Sequence, residues 1–202
     1  MGIKKPIAFG CLAIVLLVVL VGVFYVTGVY NSLVGLDQKV QSQWAQVENT
    51  YQRRSDLIPN LVETVKGAAA FEKDTYTAVT EARAKVGQVQ VNPGQLTPDS
   101  FAKFQAAQDG LSSALSRLLV VVEKYPDLKA TENFRELQAQ LEGTENRITV
   151  ERQRFNEAAQ AFNTRRNRFP AVLVASLFGG KFAEKPYFKA QAGAEKAPQV
   201  KF

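Results

Sequence analysis

The 202-residue chain carries 25 basic and 19 acidic side chains, a net charge of +6, one cysteine and no histidine. The absence of histidine excludes Ser-His-Asp and Cys-His nucleophiles and histidine metal sites. A single cysteine excludes an intrachain disulfide, so packing alone must hold the folded domain together. No GxxxxGK[ST] or GxGxxG phosphate-binding loop occurs. We therefore expect a protein that is not an enzyme and that has no cofactor.

The basic excess lies at one end of the chain. Residues 1–164 hold 17 basic and 17 acidic side chains, whereas residues 165–202 hold eight and two. A nucleic-acid-binding protein would instead show a basic stripe on a folded face. A basic, partly apolar C-terminal region beside a membrane anchor favours anionic lipid headgroups or an acidic partner. Simple solvation of a flexible tail over 190–202 is the alternative, and we expect no nucleic-acid partner.

Residues 7–26 read IAFGCLAIVLLVVLVGVFYV and contain no charge. A helix of this length rises about 30 Å, the thickness of a hydrocarbon core. The run is longer than the apolar region of a cleaved signal peptide. Cys11 lies inside the run and not after it, which argues against a lipoprotein. The sequence predicts a short tail over 1–6 and an uncleaved transmembrane signal-anchor helix over 7–29.

Charges on either side of the apolar run indicate its orientation. Lys4 and Lys5 precede it, whereas Lys39 is the one basic residue in the segment that follows closely. The positive-inside rule then places the N-terminus in the cytoplasm and the large domain outside.

The first helix after the anchor is predicted over about 30–53. Its apolar residues recur at helical steps of three and four: Leu33, Leu36, Val40, Trp44, Val47 and Tyr51. Pro59 disfavours helix at the residue before it, and Ser55 or Asp56 is suited to cap a new helix. We therefore predict a turn near 54–57, with one kinked helix running through Pro59 as the alternative.

Three more helices are predicted: about 57–86, then 98–123 after a Thr97-Pro98 start, and 131–168. Along the last of these, an apolar residue recurs every seventh position: Phe134, Leu141, Ile148, Phe155, Phe162 and Phe169. A strict seven-residue repeat is typical of coiled-coil-like packing. The predicted fold is therefore all-α, with an antiparallel up-and-down four-helix bundle of long helices over 30–170.

Residues 171–178 are too short to span a bilayer, although they are strongly apolar. Two interpretations of residues 171–189 remain open: docking on the bundle, or lying in the membrane interface with lysines toward the headgroups. The candidate interface residues are Leu173, Leu177, Phe178, Lys181 and Phe182.

Two polar groups form the candidate site. The first lies at the predicted turn: Arg53, Arg54, Asp56 and Asn60. The second lies around the seven-residue apolar repeat of the last long helix: Glu145, Asn146, Arg147, Arg152 and Asn156. Arg54 occupies a position where the helical pattern predicts an apolar residue. The side chains either cap helices and pair across them, fixing register, or form a surface for a partner or for self-assembly.

Several blocks of sequence are distinctive. They are RRSDLIPNLV at 53–62, YPDLK at 125–129, ENF at 132–134 and LEGTENRI at 141–148. In these blocks the chain resembles the LemA family of bacterial membrane-anchored proteins. The resemblance implies one N-terminal anchor, a helical-bundle domain and no agreed catalytic activity. It also implies a short N-terminus outside the cell, whereas the charge rule predicts the opposite orientation, which we keep as our prediction.

The resulting hypothesis is a single-pass protein of the bacterial cytoplasmic membrane that acts as a helical scaffold or adaptor. Its expected partners are membrane lipid, further copies of itself as a homo-oligomer, and another membrane or envelope protein. The alternative is an envelope sensor or regulatory module that binds a ligand or a partner protein.

Overall fold

The computed structural model describes residues 4–67 and 73–189. Its helices are α1 (Lys4–Lys66), α2 (Lys73–Gln88), α3 (Pro98–Val122), α4 (Pro126–Lys129), α5 (Glu132–Asn167) and α6 (Ala171–Leu177). Two 3₁₀ turns lie at Pro93–Gln95 and Gly179–Phe182. The described ranges contain no strand, so the all-α prediction is confirmed. The predicted flexible tail, 190–202, lies outside the described residues.

Helix α1 joins the apolar segment to the folded domain without interruption. It has 63 residues and is therefore about 95 Å long. Within the described chain it is the one helix long and apolar enough to cross a membrane. The domain leaves the apolar side chains uncovered, and Phe9 and Phe24 are 73% and 72% exposed. This part of α1 therefore suits a lipid environment.

The predicted turn at 54–57 is wrong, because α1 continues through Pro59 to Lys66. Proline has no N–H, so the carbonyl of Ser55, one turn earlier, loses its helical donor. Arg83 of α2 supplies a replacement, since its Nε donates to that carbonyl at 3.0 Å. The predicted helix over 57–86 is accordingly divided, its first part belonging to α1 and its last part to α2.

The other two predicted helix starts are confirmed, since both are set by local capping. Thr97 accepts a hydrogen bond from the N–H of Ser100 at 3.2 Å, and Pro98 takes the first position of α3. Thr131 accepts from the N–H of Phe134 at 3.4 Å and begins α5. Threonine oxygens satisfy N–H groups that have no partner within the helix.

Helices α1 and α5 run in opposite directions along each other. Arg165 donates to Ser32 at 3.2 Å, and Arg54 pairs with Glu145 at 3.0 Å, so later residues of α1 meet earlier residues of α5. Arg54 also donates to Ser112 of α3 at 2.7 Å. Three helices therefore meet at Arg54.

The buried apolar side chains form two clusters along the domain. The cluster nearer the apolar segment surrounds Trp44, which is fully buried. The rings of Phe104 and Phe155 lie edge-on to the indole at centroid distances of 5.0 and 5.6 Å. The farther cluster consists of residues from α1 to α5, among them Ile58, Leu61, Val79, Leu111, Leu118, Phe134 and Leu141.

The seven-residue apolar repeat of α5 is buried along most of its length. Phe134, Leu141, Ile148, Phe155 and Phe162 are all at most 7% exposed. The last member, Phe169, is 81% exposed. Phe169 does not continue the buried face because α5 ends at Asn167, before this residue.

Candidate functional site

The nine polar residues predicted as one site lie in four different places. The buried Arg54 pairs with Glu145, which is half-exposed. An outer groove is lined by Arg53, Asn146 and Arg147. The C-terminal part of the chain is bound by Arg152 and Asn156, whereas Asp56 and Asn60 face solvent. The last two are exposed because the predicted turn is absent and α1 presents them on its outer side.

Arg54 is the centre of the buried contact, with 1% of its surface exposed. Its Nη1 donates to Ser112 Oγ at 2.7 Å and to Glu145 Oε2 at 3.0 Å. Its Nη2 donates at 2.6 Å to the side-chain oxygen of Gln108, which is 2% exposed. The side chain of Glu145 is 50% exposed and so keeps contact with water. This geometry explains an arginine at a core position, because the terminal nitrogens of its guanidinium donate to polar or charged groups of neighbouring helices.

The ring of Tyr51 lies against the same guanidinium, 5.1 Å from its carbon to the ring centroid. Burial raises the pKa of the Tyr51 phenol, against the opposing effect of nearby guanidinium groups. Tyr51 therefore stays neutral at physiological pH and serves as a packing surface for Arg54.

A polar groove lies between α1 and α5 on the outside of the domain. We call its central residues the arginine face: Arg53, Asn146, Arg147, Val150 and Arg154. Arg53 and Arg147 are exposed, and neither side chain has an ionic or hydrogen-bonding partner among the described residues. Arg154 is paired with the nearly buried Glu151 at 2.9 Å. Val150 is 45% exposed and places an apolar side chain between the cations.

Arg152 and Asn156 reach the C-terminal segment, which we define as residues 182–189. Asn156 donates to the carbonyl of Phe188 at 3.1 Å and accepts from its N–H at 2.8 Å. Arg152 donates to the carbonyl of Lys189 at 2.7 Å. These two side chains of α5 therefore bind extended backbone, and none of the described contacts pairs them with another helix.

Sequence reasoning missed Asn163, which is 4% exposed and repeats the contact of Asn156. It donates to the carbonyl of Lys185 at 2.9 Å and accepts from the N–H of Lys185 at 2.9 Å. Lys185, also missed, is 5% exposed and forms an ion pair with Asp37 of α1 at 2.5 Å. The available signal was the seven-residue spacing of Asn156 and Asn163 on one face of α5.

Helix α6 docks on α1 and α5 through one side and leaves the other side exposed. Its buried residues are Ala171, Val174 and Ala175. Leu173, Leu177 and Phe178 are 56%, 76% and 42% exposed. Phe182 is 1% exposed, so its assignment to a membrane interface is wrong. Lys181 lies over the ring of Tyr30, which is close in sequence to the apolar segment, with 4.7 Å from Nζ to the centroid.

The described residues include no group of three or more histidine, cysteine, aspartate or glutamate side chains placed to hold a metal ion. The prediction of a protein without cofactor or catalysis stays a prediction. What the geometry offers is an internal structural contact, an exposed cationic face and a groove that binds extended backbone.

Comparison with known proteins identifies the family. The model of the LemA family matches residues 43–202, so the chain belongs to the LemA family and the resemblance seen in its motifs is confirmed. Magnetosome protein MamQ of Magnetospirillum gryphiswaldense is 28% identical over 178 residues, covering 78% of this chain and 65% of MamQ. Protein LemA of Metamycoplasma hominis is 25% identical over 179 residues, covering 86% and 78%. The chain thus spans slightly less than two thirds of the length of the MamQ relatives.

Proposed function

We propose that this member of the LemA family is a membrane-anchored helical scaffold or adaptor that self-associates and has no catalytic activity. The observation that supports this most strongly is the unbroken course of α1 from the apolar segment to Lys66. Because α1 is not interrupted by a flexible linker between anchor and domain, the domain keeps a fixed orientation to the bilayer. A scaffold requires such fixed presentation of its binding faces.

We further propose that α1, α2, α3 and α5 form an up-and-down bundle above the anchor. The opposed directions of α1 and α5 support this arrangement. So does the contact from Arg83 of α2 to Ser55 of α1. In this arrangement, the end of α5 and helix α6 return toward the membrane.

The arginine face is the proposed surface for an acidic partner. Arg53 and Arg147 hold charges that no described residue neutralises. Arginine is enriched in protein interfaces because its planar guanidinium binds carboxylates with two hydrogen bonds. The exposed Val150 adds apolar area at the centre of this surface.

For the exposed side of α6 we propose contact with the bilayer surface. Leu173 and Leu177 are apolar and exposed, and the ammonium of Lys181 lies over the ring of Tyr30, close to the apolar segment. Short amphipathic helices bind the interface through this combination of side chains. The flanking charges favour a cytoplasmic N-terminus, with the domain outside. A reporter enzyme that is active only outside the cytoplasm, fused after Phe202, should therefore be active; a silent reporter would reverse this orientation.

One observation favours the alternative function, an envelope sensor that binds a small ligand. A crevice of roughly 320 Å³ between α3 and α5 lies over Arg54 and is lined by Ser116, Gln138 and Leu141 among other residues. Its volume is at the lower end of ligand-binding sites. A ligand there would raise the melting temperature, and Ser116→Trp would abolish the increase by filling the crevice.

Photo-crosslinking in intact cells tests the scaffold proposal. A photoreactive residue replaces Val150 on the arginine face or, as a matched control, Val120 on α3, which is 66% exposed. We expect the Val150 position to give an adduct of discrete mass, either a multiple of the 22.3 kDa chain or one partner protein. Arg53→Glu together with Arg147→Glu should abolish the adduct. Equal labelling from both positions, or none from Val150, would contradict the proposal.

A further inference from the structure

The C-terminal segment is bound to the domain in the manner of a separate peptide. Its buried residues are Phe182, Lys185 and Phe188, which are 1%, 5% and 7% exposed. Phe182 ends the 3₁₀ turn, and burial at every third residue from there is the period of a polyproline II helix, which has three residues per turn. Ala183 has φ −60° and ψ 150°, close to the polyproline II values, and Pro186 favours the same conformation.

The groove that holds the segment recognises its backbone. Asn156 and Asn163 each bind both the N–H and the C=O of one residue, Phe188 and Lys185 respectively. A polyproline II strand makes no internal hydrogen bonds, so these groups are free to bind a partner. Peptide-binding proteins use such backbone contacts for affinity and use pockets for alternate side chains for specificity.

Two pockets in the groove select side chains. Asp37 receives the ammonium of Lys185 at a distance of 2.5 Å, and both side chains are largely buried. Phe188 enters an aromatic pocket in which its ring lies 4.5 Å from that of Phe101 and stacks on Trp44 at 6.1 Å. Together with Phe182, the groove therefore recognises the pattern Phe-x-x-Lys-x-x-Phe.

The two glycines before the segment have open space where a side chain would lie. Gly179 has φ +51°, a conformation that side-chain-bearing residues rarely adopt. A Cβ added at Gly179 or Gly180 would meet no atom within 4 Å. The chain direction can therefore change at these glycines while α6 stays docked through Val174 and Ala175.

We propose that the groove also accepts the C-terminal segment of a second copy of this chain, so that two copies exchange residues 182–189. This inference rests on the proposed self-association and names the contact that produces it. All the contacts described above form equally well between copies, because none depends on the covalent connection to α5. Two copies anchored in one membrane hold their domains parallel, which raises the effective concentration of each segment at the other groove.

A charge exchange in full-length protein in mild detergent tests the proposal. One variant carries Asp37→Lys and the other carries Lys185→Glu. In either variant alone, like charges face each other within the groove and repel the segment, whether it comes from the same chain or from an identical copy. In a mixture of the two variants, segment exchange creates a complementary pair in both grooves. We therefore expect mixed pairs to exceed like pairs by about ten-fold or more.

Two tags, one on each variant, measure pairing by co-purification, and fluorescence of Trp44 reports whether Phe188 is seated. We expect the single variants to show a red-shifted emission and the mixture to recover the wild-type spectrum. The double variant Asp37→Lys/Lys185→Glu should behave as wild type. As a matched control, Asp99→Lys mixed with Lys103→Glu reverses an exposed pair and should give no selective pairing. Random pairing in the test mixture, with an unrecovered spectrum, would overturn the proposal.

A second measurement leaves the fold intact and decides the matter if the charge variants fail to fold. Gln105 donates to the carbonyl of Lys189 at 3.2 Å; Gln105 is half-buried and Lys189 is exposed. On a Cys11→Ser background, one copy carries Gln105→Cys and another carries Lys189→Cys. We expect a disulfide-linked dimer from the mixture, and none when Lys103→Cys replaces Gln105→Cys. If wild type is oligomeric but the mixture of cysteine variants gives no such dimer, exchange is wrong and self-association stands. If wild type is monomeric, both are wrong.

Discussion

Replacing Arg54 by methionine should destabilise the domain by about 3 kcal/mol. Removing one member of a buried ion pair typically costs about 3–5 kcal/mol because the other charge is left buried. Here Glu145 is half-exposed and regains water, so the cost lies at the lower end. The remaining cost comes from the buried oxygen of Gln108, whose donor at 2.6 Å is lost.

For a chain of this size, that change corresponds to a decrease in melting temperature of about 6–12 °C. The assay is thermal unfolding of the full-length protein in detergent, followed by helical circular dichroism and by Trp44 fluorescence. Arg53→Met is the matched control, because this neighbouring arginine is exposed and should change stability by less than about 0.5 kcal/mol. Arg54→Met/Gln108→Leu should recover much of the loss by removing the unpaired oxygen. An unchanged melting temperature in Arg54→Met would refute a structural role for this contact.

Three further changes test other parts of the fold. Phe155→Ala should cost about 3–5 kcal/mol, measured by denaturant unfolding, because it opens a cavity beside Trp44. Arg83→Met should cost about 1 kcal/mol by leaving the Ser55 carbonyl without a donor, and adding Pro59→Ala should restore the loss by supplying an N–H. Burial raises the pKa of Glu48, so its ionised form opposes folding at neutral pH. Glu48→Gln should therefore raise the melting temperature at pH 7, and the gain should vanish as the pH falls below about 4.3, where wild type is protonated too.

Each of these changes has a matched control at an exposed position. Val150→Ala removes an exposed side chain of α5 and should leave unfolding unchanged. Lys85→Met alters an exposed cation of α2 near Arg83, and its stability should match wild type. Glu81→Gln removes an exposed carboxylate of α2 and should leave the melting temperature at pH 7 unchanged. If any control equals its test variant, the assigned contact does not determine the effect.

Local signals in the sequence were sufficient to predict the apolar segment, the starts of α3 and α5, and the buried seven-residue repeat of α5. A threonine cap and a seven-residue repeat each involve residues that are close in sequence. They can therefore be recognised without knowledge of the tertiary contacts. The continuity of α1 could not be predicted in this way. Its proline is accommodated by Arg83, which comes from a helix that the sequence does not place beside Ser55.

The candidate site was predicted in part for the same reason. The heptad pattern marked Arg54 as unusual, and Glu145 was in the predicted set, but Gln108 and Ser112 gave no signal of their own. The groove for the C-terminal segment was missed because polyproline II structure has no hydrogen-bond pattern or strong composition. The three-residue spacing of Phe182 and Lys185 indicates a bound segment only once Asn156 and Asn163 of α5 are known to face it.

The mass of the full-length protein in mild detergent tests the central claim most directly. Multi-angle light scattering separates the protein mass from that of bound detergent, and the fragment Val29–Phe202 provides the comparison without the anchor. We predict a discrete assembly at a multiple of 22.3 kDa for the full-length chain, and a smaller assembly for the fragment. A mass of one chain, constant over a wide range of protein concentration, would contradict self-association and with it the proposed scaffold.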